Sequence, residues 1–250
     1  MAQKTKIGGT AYTITHGRVK VGGTTYEIDA GKTKIGGTAK DIVFGTVPYK
    51  YQQVAYVESS STGKNRPHIV MPITTQEGLK IEAVINKYGA NEDLDYLGYY
   101  EKNASEGLFL SASGSHYTAM MYVENETVTN AYYKSVTNGT TITATLVFGS
   151  NGQTASITCT GVSGWNKTST RSMALASTGN PMYLFTHEPS NWCYKGRFGR
   201  VTAYNSSNAV IMDLYPVKRK SDNVPGFWDT VSKQFLTNAG SGSFSVGANV

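Results

Sequence analysis

Apolar residues in this chain recur at every second position, and no stretch holds a helical period, so the pattern predicts strands throughout. Nine runs stand out after residue 45: Gln53–Val57, Lys80–Ile85, Gly107–Ser111, Thr118–Val123, Thr140–Val147, Thr154–Cys159, Met182–Thr186, Gly199–Tyr204 and Val210–Tyr215. Turn clusters separate them, among them Ser59-Ser60-Ser61-Thr62-Gly63, Thr137-Asn138-Gly139 and Gly149-Ser150-Asn151-Gly152. The last lies between two alternating runs, as a hairpin requires. Many short strands with glycine turns predict a two-sheet sandwich or jelly roll.

The first forty-four residues follow a different rule. Lys6-Ile7-Gly8-Gly9-Thr10-Ala11-Tyr12-Thr13-Ile14 returns as Lys20-Val21-Gly22-Gly23-Thr24-Thr25-Tyr26-Glu27-Ile28 and again as Lys34-Ile35-Gly36-Gly37-Thr38-Ala39-Lys40-Asp41-Ile42, a period of 14 held three times. Each unit reads as two short strands about a Gly-Gly turn, with Val19 and Val21 on one face and Tyr26 and Ile28 on one face beyond it. Three such hairpins are expected to form a meander. Its apolar stripe is too thin to bury a core alone, so the arm is expected to fold against its own copies, another protein or the following domain.

Two ends of the chain resemble a known family. The stretch Tyr194-Lys195-Gly196-Arg197-Phe198-Gly199-Arg200-Val201, then Leu214-Tyr215-Pro216-Val217-Lys218-Arg219-Lys220-Ser221-Asp222-Asn223, Gly226-Phe227-Trp228-Asp229 and Lys233-Gln234-Phe235-Leu236-Thr237-Asn238-Ala239-Gly240-Ser241-Gly242-Ser243-Phe244 resembles the C-terminal end of concanavalin A-like (laminin-G-like) jelly-roll domains of bacteriophages and prophages of Gram-positive gut bacteria. Tyr56-Val57-Glu58-Ser59-Ser60 resembles the start of that domain, and the Lys-Ile-Gly-Gly-Thr repeat is similar to N-terminal arms of phage structural proteins. The middle, roughly 64–189, agrees only in strand spacing. The fold class expected is therefore all-β: a β-hairpin repeat arm over 1–44, then a concanavalin A-like jelly-roll sandwich over 45–250. In that C-terminal stretch Pro216 is expected to end a strand, Asp222-Asn223 and Gly226 to serve turns, and Phe227/Asp229 with Phe235/Thr237 to form a closing hairpin whose Phe227 or Trp228 plugs one end of the sandwich.

The resemblance implies a non-enzymatic virion protein, made in the bacterial cytoplasm and displayed on the particle surface as a fibre or tail component or a capsid decoration. Its partners would be other virion proteins of capsid, tail or baseplate, its lectin-like domain would meet host-surface or mucosal glycans, and it would be a homo-oligomer, trimeric in families of this kind. A carbohydrate-active enzyme or its binding module is the alternative, and a purely structural cement protein a third reading.

Composition agrees with strands: 250 residues carry 30 Thr, 22 Ser, 17 Tyr and 27 Gly, and only 16% charged residues. Net charge is +6, but residues 1–44 hold seven basic and three acidic side chains, +4, whereas the other 206 hold 16 and 14, +2. The charge thus belongs mainly to the arm, where Lys6, Lys20, Lys34, Arg18 and Lys32 recur with the repeat beside Tyr12 and Tyr26. This suits docking on an acidic protein surface. Nucleic-acid reading would want a helix or an aromatic-lined sheet there, so no nucleic-acid partner is expected. No apolar run approaches a membrane span and no export signal is visible, so no membrane partner is expected and Cys159 and Cys193 are read as free buried thiols.

Candidate chemistry is sparse. Sugar recognition needs flat rings beside planar polar groups, and Trp165 with Asn166, and Trp192 and Tyr194 with Asn191, supply both. For Trp192 and Tyr194 a core role competes. Asn91-Glu92-Asp93-Leu94-Asp95 concentrates oxygen ligands as a hard cation requires, making Asp93 and Asp95 calcium candidates, although the glycine and terminal glutamate of an EF-hand are missing; no other cofactor is expected. Glu124-Asn125-Glu126 sets two carboxylates two residues apart, read as solvated edge charges rather than a catalytic pair. The four histidines read as surface or turn residues.

Overall fold

The computed structural model describes residues 3–7, 10–14, 17–21, 24–28, 30–35, 38–43, 46–61, 63–86, 94–101, 106–113, 116–123, 126–130, 139–148, 155–160, 167–171, 179–188, 192–193 and 195–250, with side chains described for 46–61, 63–86, 139–148, 158, 160, 179–186, 193 and 195–250. In chain order the strands are β1 Gln3–Ile7, β2 Thr10–Ile14, β3 Gly17–Val21, β4 Thr24–Ile28, β5 Ala30–Ile35, β6 Thr38–Val43, β7 Tyr51–Gln53, β8 Val57–Ser59, β9 Ile69–Thr74, β10 Lys80–Asn86, β11 Leu94–Glu101, β12 Glu106–Ser113 and β13 His116–Val123. They continue with β14 Glu126–Asn130, β15 Thr141–Val147, β16 Ala155–Thr160, β17 Lys167–Arg171, β18 Pro181–Leu184, β19 Thr186–Glu188, β20 Trp192–Cys193, β21 Gly196–Tyr204, β22 Val210–Arg219, β23 Pro225–Asp229, β24 Phe235–Leu236 and β25 Ser245–Val246. Among the described residues all regular structure is strand.

The repeat folds into hairpins. β1 pairs β2, β3 pairs β4 and β5 pairs β6, two residues of sequence separating the strands of each pair, with Val19 opposite Tyr26. Each hairpin is a sheet of two strands. The continuous meander expected from the sequence is therefore not formed among the described residues; units pair within themselves and not with the next.

The rest is an antiparallel sandwich. One sheet runs β17-β16-β15-β10-β21-β22-β23-β24, with β7, β8 and β25 joined at its side; the other runs β14-β13-β12-β11-β18-β9. The chain crosses between sheets at β8/β9, β9/β10, β10/β11, β14/β15, β17/β18 and before β21, the jelly-roll manner of covering two inner faces. Alternation explains the layers. In β10, Ile81, Ala83 and Ile85 are fully buried while Lys80, Glu82, Val84 and Asn86 lie on the other face. β15 repeats this with Ile142, Ala144 and Leu146 inward, and β9 with Ile69, Met71 and Ile73. These side chains, with Phe148, Phe185, Phe198 and Phe227, form one core, each large side chain contributing about 1.5–3 kcal/mol.

Several expected details change. The run Gln53–Val57 is not one strand: Gln53 closes β7, Val57 opens β8, and 54–56 lie between them. Pro216 does not end its strand: β22 continues to Arg219, and the Pro216 carbonyl still accepts from the Val54 N–H at 3.0 Å. Gly226 is no turn glycine. It lies inside β23, where a Cβ would overlap the Leu236 carbonyl oxygen. The closing hairpin forms as expected, Phe227 opposite Leu236 and Trp228 opposite Phe235. Phe227 joins the main core, while Trp228 packs on the opposite face with Tyr51 and Val217 in a second small cluster.

The two ends of the sandwich sequence meet. Val57 pairs Val246, the Gly247 N–H donates to Tyr56 O at 3.0 Å, the Ala55 N–H to Ala248 O at 2.8 Å and the Val250 N–H to Gln53 O at 3.1 Å. Gly247 is required by closeness, because a Cβ would fall 2.8 Å from the Tyr56 ring.

Candidate functional site

Of the sugar candidates, Trp165, Asn166, Asn191 and Tyr194 lie outside the described residues. Trp192 lies in β20, opposite Glu188 of β19. Asp93 also lies outside them, and Asp95 is a β11 strand residue opposite Ser111. Glu124 is outside as well, and Glu126 opens β14 opposite Val123 of β13. In the arm, Lys6 is in β1, Arg18 and Lys20 in β3, and Lys32 and Lys34 in β5; all five are thus on the first strand of a hairpin, and Tyr12 and Tyr26 on the second.

What the fold assembles instead is the outer face of the large sheet. The register aligns Thr158, Thr145, Glu82, Thr202 and Asp213 in one row across β16, β15, β10, β21 and β22. Lys80 opposite Tyr204, and Thr160 opposite Thr143, lie in flanking rows. On the β21/β22 side the row is densely bonded. Arg200 donates to both oxygens of Asp213, Nε to Oδ1 at 2.7 Å and NH2 to Oδ2 at 2.9 Å, and its guanidinium lies 4.8 Å from the Tyr215 ring centre. Tyr204 donates to Glu82 at 3.1 Å, beneath the Lys80 ammonium 4.0 Å from its ring centre. Burial, with Glu82 alongside, pushes the Tyr204 hydroxyl above its ordinary pKa, and the hydrogen bond to Asp213 pushes Arg200 up. The β15/β16 side holds Thr141, Thr143, Thr145, Thr158 and Thr160, neutral throughout. Neighbours in such a sheet lie about 4.8 Å apart across strands and roughly 6.8 Å along them.

Glu82 and Asp213 thus share a face two strands apart, about 9–10 Å at the backbone. Sequence spacing could not reveal this, since 131 positions separate them. Each already faces a cation, Lys80 at 3.2 Å and Arg200 at 2.7 Å. A glycosidase acid needs the opposite setting, an apolar one that keeps its proton.

Asp229 is fully buried and saturated. It accepts the N–H groups of Asp213, Val231 and Ser232 at 2.9, 3.1 and 3.1 Å, and the Ser232 hydroxyl at 2.6 Å. Asp-x-x-Ser before a strand is a readable turn signal, but the reach to Asp213 is not. Asp213 is completed by Thr202 and Thr230 hydroxyls at 3.3 and 3.2 Å.

A nucleophile and an imidazole also come together. Cys193 is buried, its Sγ 3.8 Å from His68 Nδ1. His68 is 5% exposed, correcting the surface reading. Its Nδ1 lies 2.8 Å from the Arg66 carbonyl, which can only accept, so Nδ1 carries the proton and gives the thiol no base. Burial pushes the Cys193 thiol up, against hydrogen bonds from the Arg66 backbone, Thr186 and the Asn65 backbone. An activated cysteine shows the reverse shift. The pair anchors structure: Gly63 and Cys193 exchange backbone hydrogen bonds at 3.0 and 2.8 Å, and Asn238 accepts from the His68 N–H at 3.2 Å.

The chain matches no protein-family model and no curated protein. Among solved structures it is similar to a putative carbohydrate-binding protein from Bacteroides ovatus, at 9% identity over 80% of this chain and 60% of that one, with a TM-score of 0.48. It is similar to the heptameric SAP-like pentraxin of Limulus polyphemus, at 8% identity over 78% and 96%, TM-score 0.47. Domains LG4-5 of the mouse laminin α1 chain share 11% identity over 62% and 45%, TM-score 0.43.

Proposed function

We propose that this chain is a non-enzymatic glycan-binding sandwich displayed on a bacteriophage particle and attached through its hairpin arm. The observation that carries the binding part is the outer sheet face: half-buried Tyr204 and Tyr215 rings, each steadied by a cation, beside a field of threonine hydroxyls. Sugar C–H faces stack on rings while sugar hydroxyls exchange hydrogen bonds with hydroxyls and carboxylates, so such a face offers both contacts on one plane. The phage setting and the attachment role rest on the resemblance of the repeat and the C-terminal stretch. Calcium is not needed by this reading.

The test is binding to isolated Gram-positive cell walls and to a glycan array by the full chain, Tyr215→Ala and Trp165→Ala. Loss of at least tenfold in either variant, at an unchanged melting temperature, is expected; equal binding by both refutes the glycan reading. Electron microscopy of intact particles tests the display, with capsid-symmetric copies favouring decoration and a few copies at one vertex a tail device. Glu82 and Asp213 on one face give the enzyme reading its one foothold. Release of reducing sugar by the full chain, lost in Glu82→Gln, would establish it.

A further inference from the structure

The sandwich's share of positive charge has a location. At the end of β22, Lys218, Arg219 and Lys220 follow one another, and Lys50 lies beside them: the Lys220 N–H donates to the Lys50 carbonyl at 3.0 Å, and Arg219 and Lys218 sit opposite Tyr51 and Gln52 of β7. Three of the four heads are held by rings. The Lys220 ammonium lies 3.5 Å from the Tyr49 ring centre, the Lys50 ammonium 5.3 Å from Tyr51 and 5.8 Å from Trp228, and the Arg219 guanidinium 5.0 Å from Phe235. Lys50 and Lys220 are exposed. Asp222 is clamped on Arg219 at 2.6 Å, a contact that holds its carboxyl below the usual range, and leaves the three lysines unneutralised by it.

Four basic residues less Asp222 give the corner +3, whereas residues 45–250 as a whole carry 16 basic and 14 acidic, +2. The remainder of the sandwich is therefore −1. Lys50 also stands where the chain enters the sandwich, six residues after the arm that carries +4. Arm and corner together hold +7 of a chain whose net charge is +6.

We propose that the Lys50/Lys218/Lys220 corner is a second attachment contact, docking on the same acidic protein surface as the arm. This rests on the attachment reading above. Aromatic rings beneath Lys50 and Lys220 fix their ammonium groups before binding, which lowers the ordering cost of the contact. Two linked contacts on one chain reinforce each other, since the second binds at the high local concentration that the first creates.

Retention on immobilised poly-L-glutamate at physiological salt measures this, alongside binding to isolated cell walls. The full-length variant K50Q/K218Q/K220Q is expected to lose about tenfold in poly-L-glutamate affinity while its wall binding stays unchanged. K50R/K218R/K220R, which keeps the charge, is expected to retain both. Undiminished poly-L-glutamate binding by the glutamine variant overturns the proposal, as does a parallel loss of wall binding, which would assign the corner to wall polyanions instead. Failure of the glycan reading looks different: no form binds walls, while the poly-L-glutamate series is unaffected.

Discussion

The two halves of the outer sheet face share one register and differ in chemistry. On β10, β21 and β22 the charged groups are matched: Arg200 with Asp213, Lys80 with Glu82, Tyr204 with Glu82. On β15 and β16 the same rows continue as neutral threonines. Partners on different strands stitch the sheet laterally and tie the β23 turn to it through Asp229. Thr141 ties β15 to β10 through the Asn86 side-chain oxygen at 2.7 Å, whereas Thr143 and Thr145 meet the pleat by their β-branched fit. The lesson is that polarity on a sheet surface divides into groups that hold the sheet and groups left to meet something else.

Substitutions probe this division in descending order of effect. Asp229→Ala leaves three backbone N–H donors and a hydroxyl without their acceptor in a buried turn, and is expected to cost roughly 3–4 kcal/mol in urea unfolding. Arg200→Gln removes a bidentate clamp from a half-exposed side chain, so the expected loss is only about 0.5–1 kcal/mol, reduced further by salt. The double change Thr143→Val and Thr145→Val is expected to stay within about 0.5 kcal/mol of the parent. A threonine pair that costs as much as Asp229→Ala would erase the distinction between the halves. If the pair leaves stability unchanged but lowers wall binding, the neutral half is the contacting one.

Much of the fold could be read in advance because one face of each sheet is buried, and period-2 alternation then announces itself, as in β10 and β15. The Gly-Gly hairpins were equally legible, since loop length and glycine dictate their turns. The misjudged places are those where tertiary contact overrides local signal. Pro216 reads as a strand end but keeps its one acceptor in use within β22; Gly226 reads as a turn but serves a close approach to Leu236. His68 reads as a surface residue because nothing nearby in sequence foretells Cys193, 125 positions away. For the site, the Trp-based candidates followed local composition, whereas the Tyr204/Tyr215/threonine face exists only through register between distant strands.

The zipped ends of the sandwich bear on how it would behave under tension. A pull delivered through the arm arrives first at Tyr51 and then at β8, which is paired on one edge with β21 and on the other with β25. A strand flanked on both edges cannot peel away singly; two ladders must yield together. If the arm tethers the domain as proposed, the sandwich is gripped at the point where the load enters, and its lifetime under force is governed by the rate at which that double ladder opens.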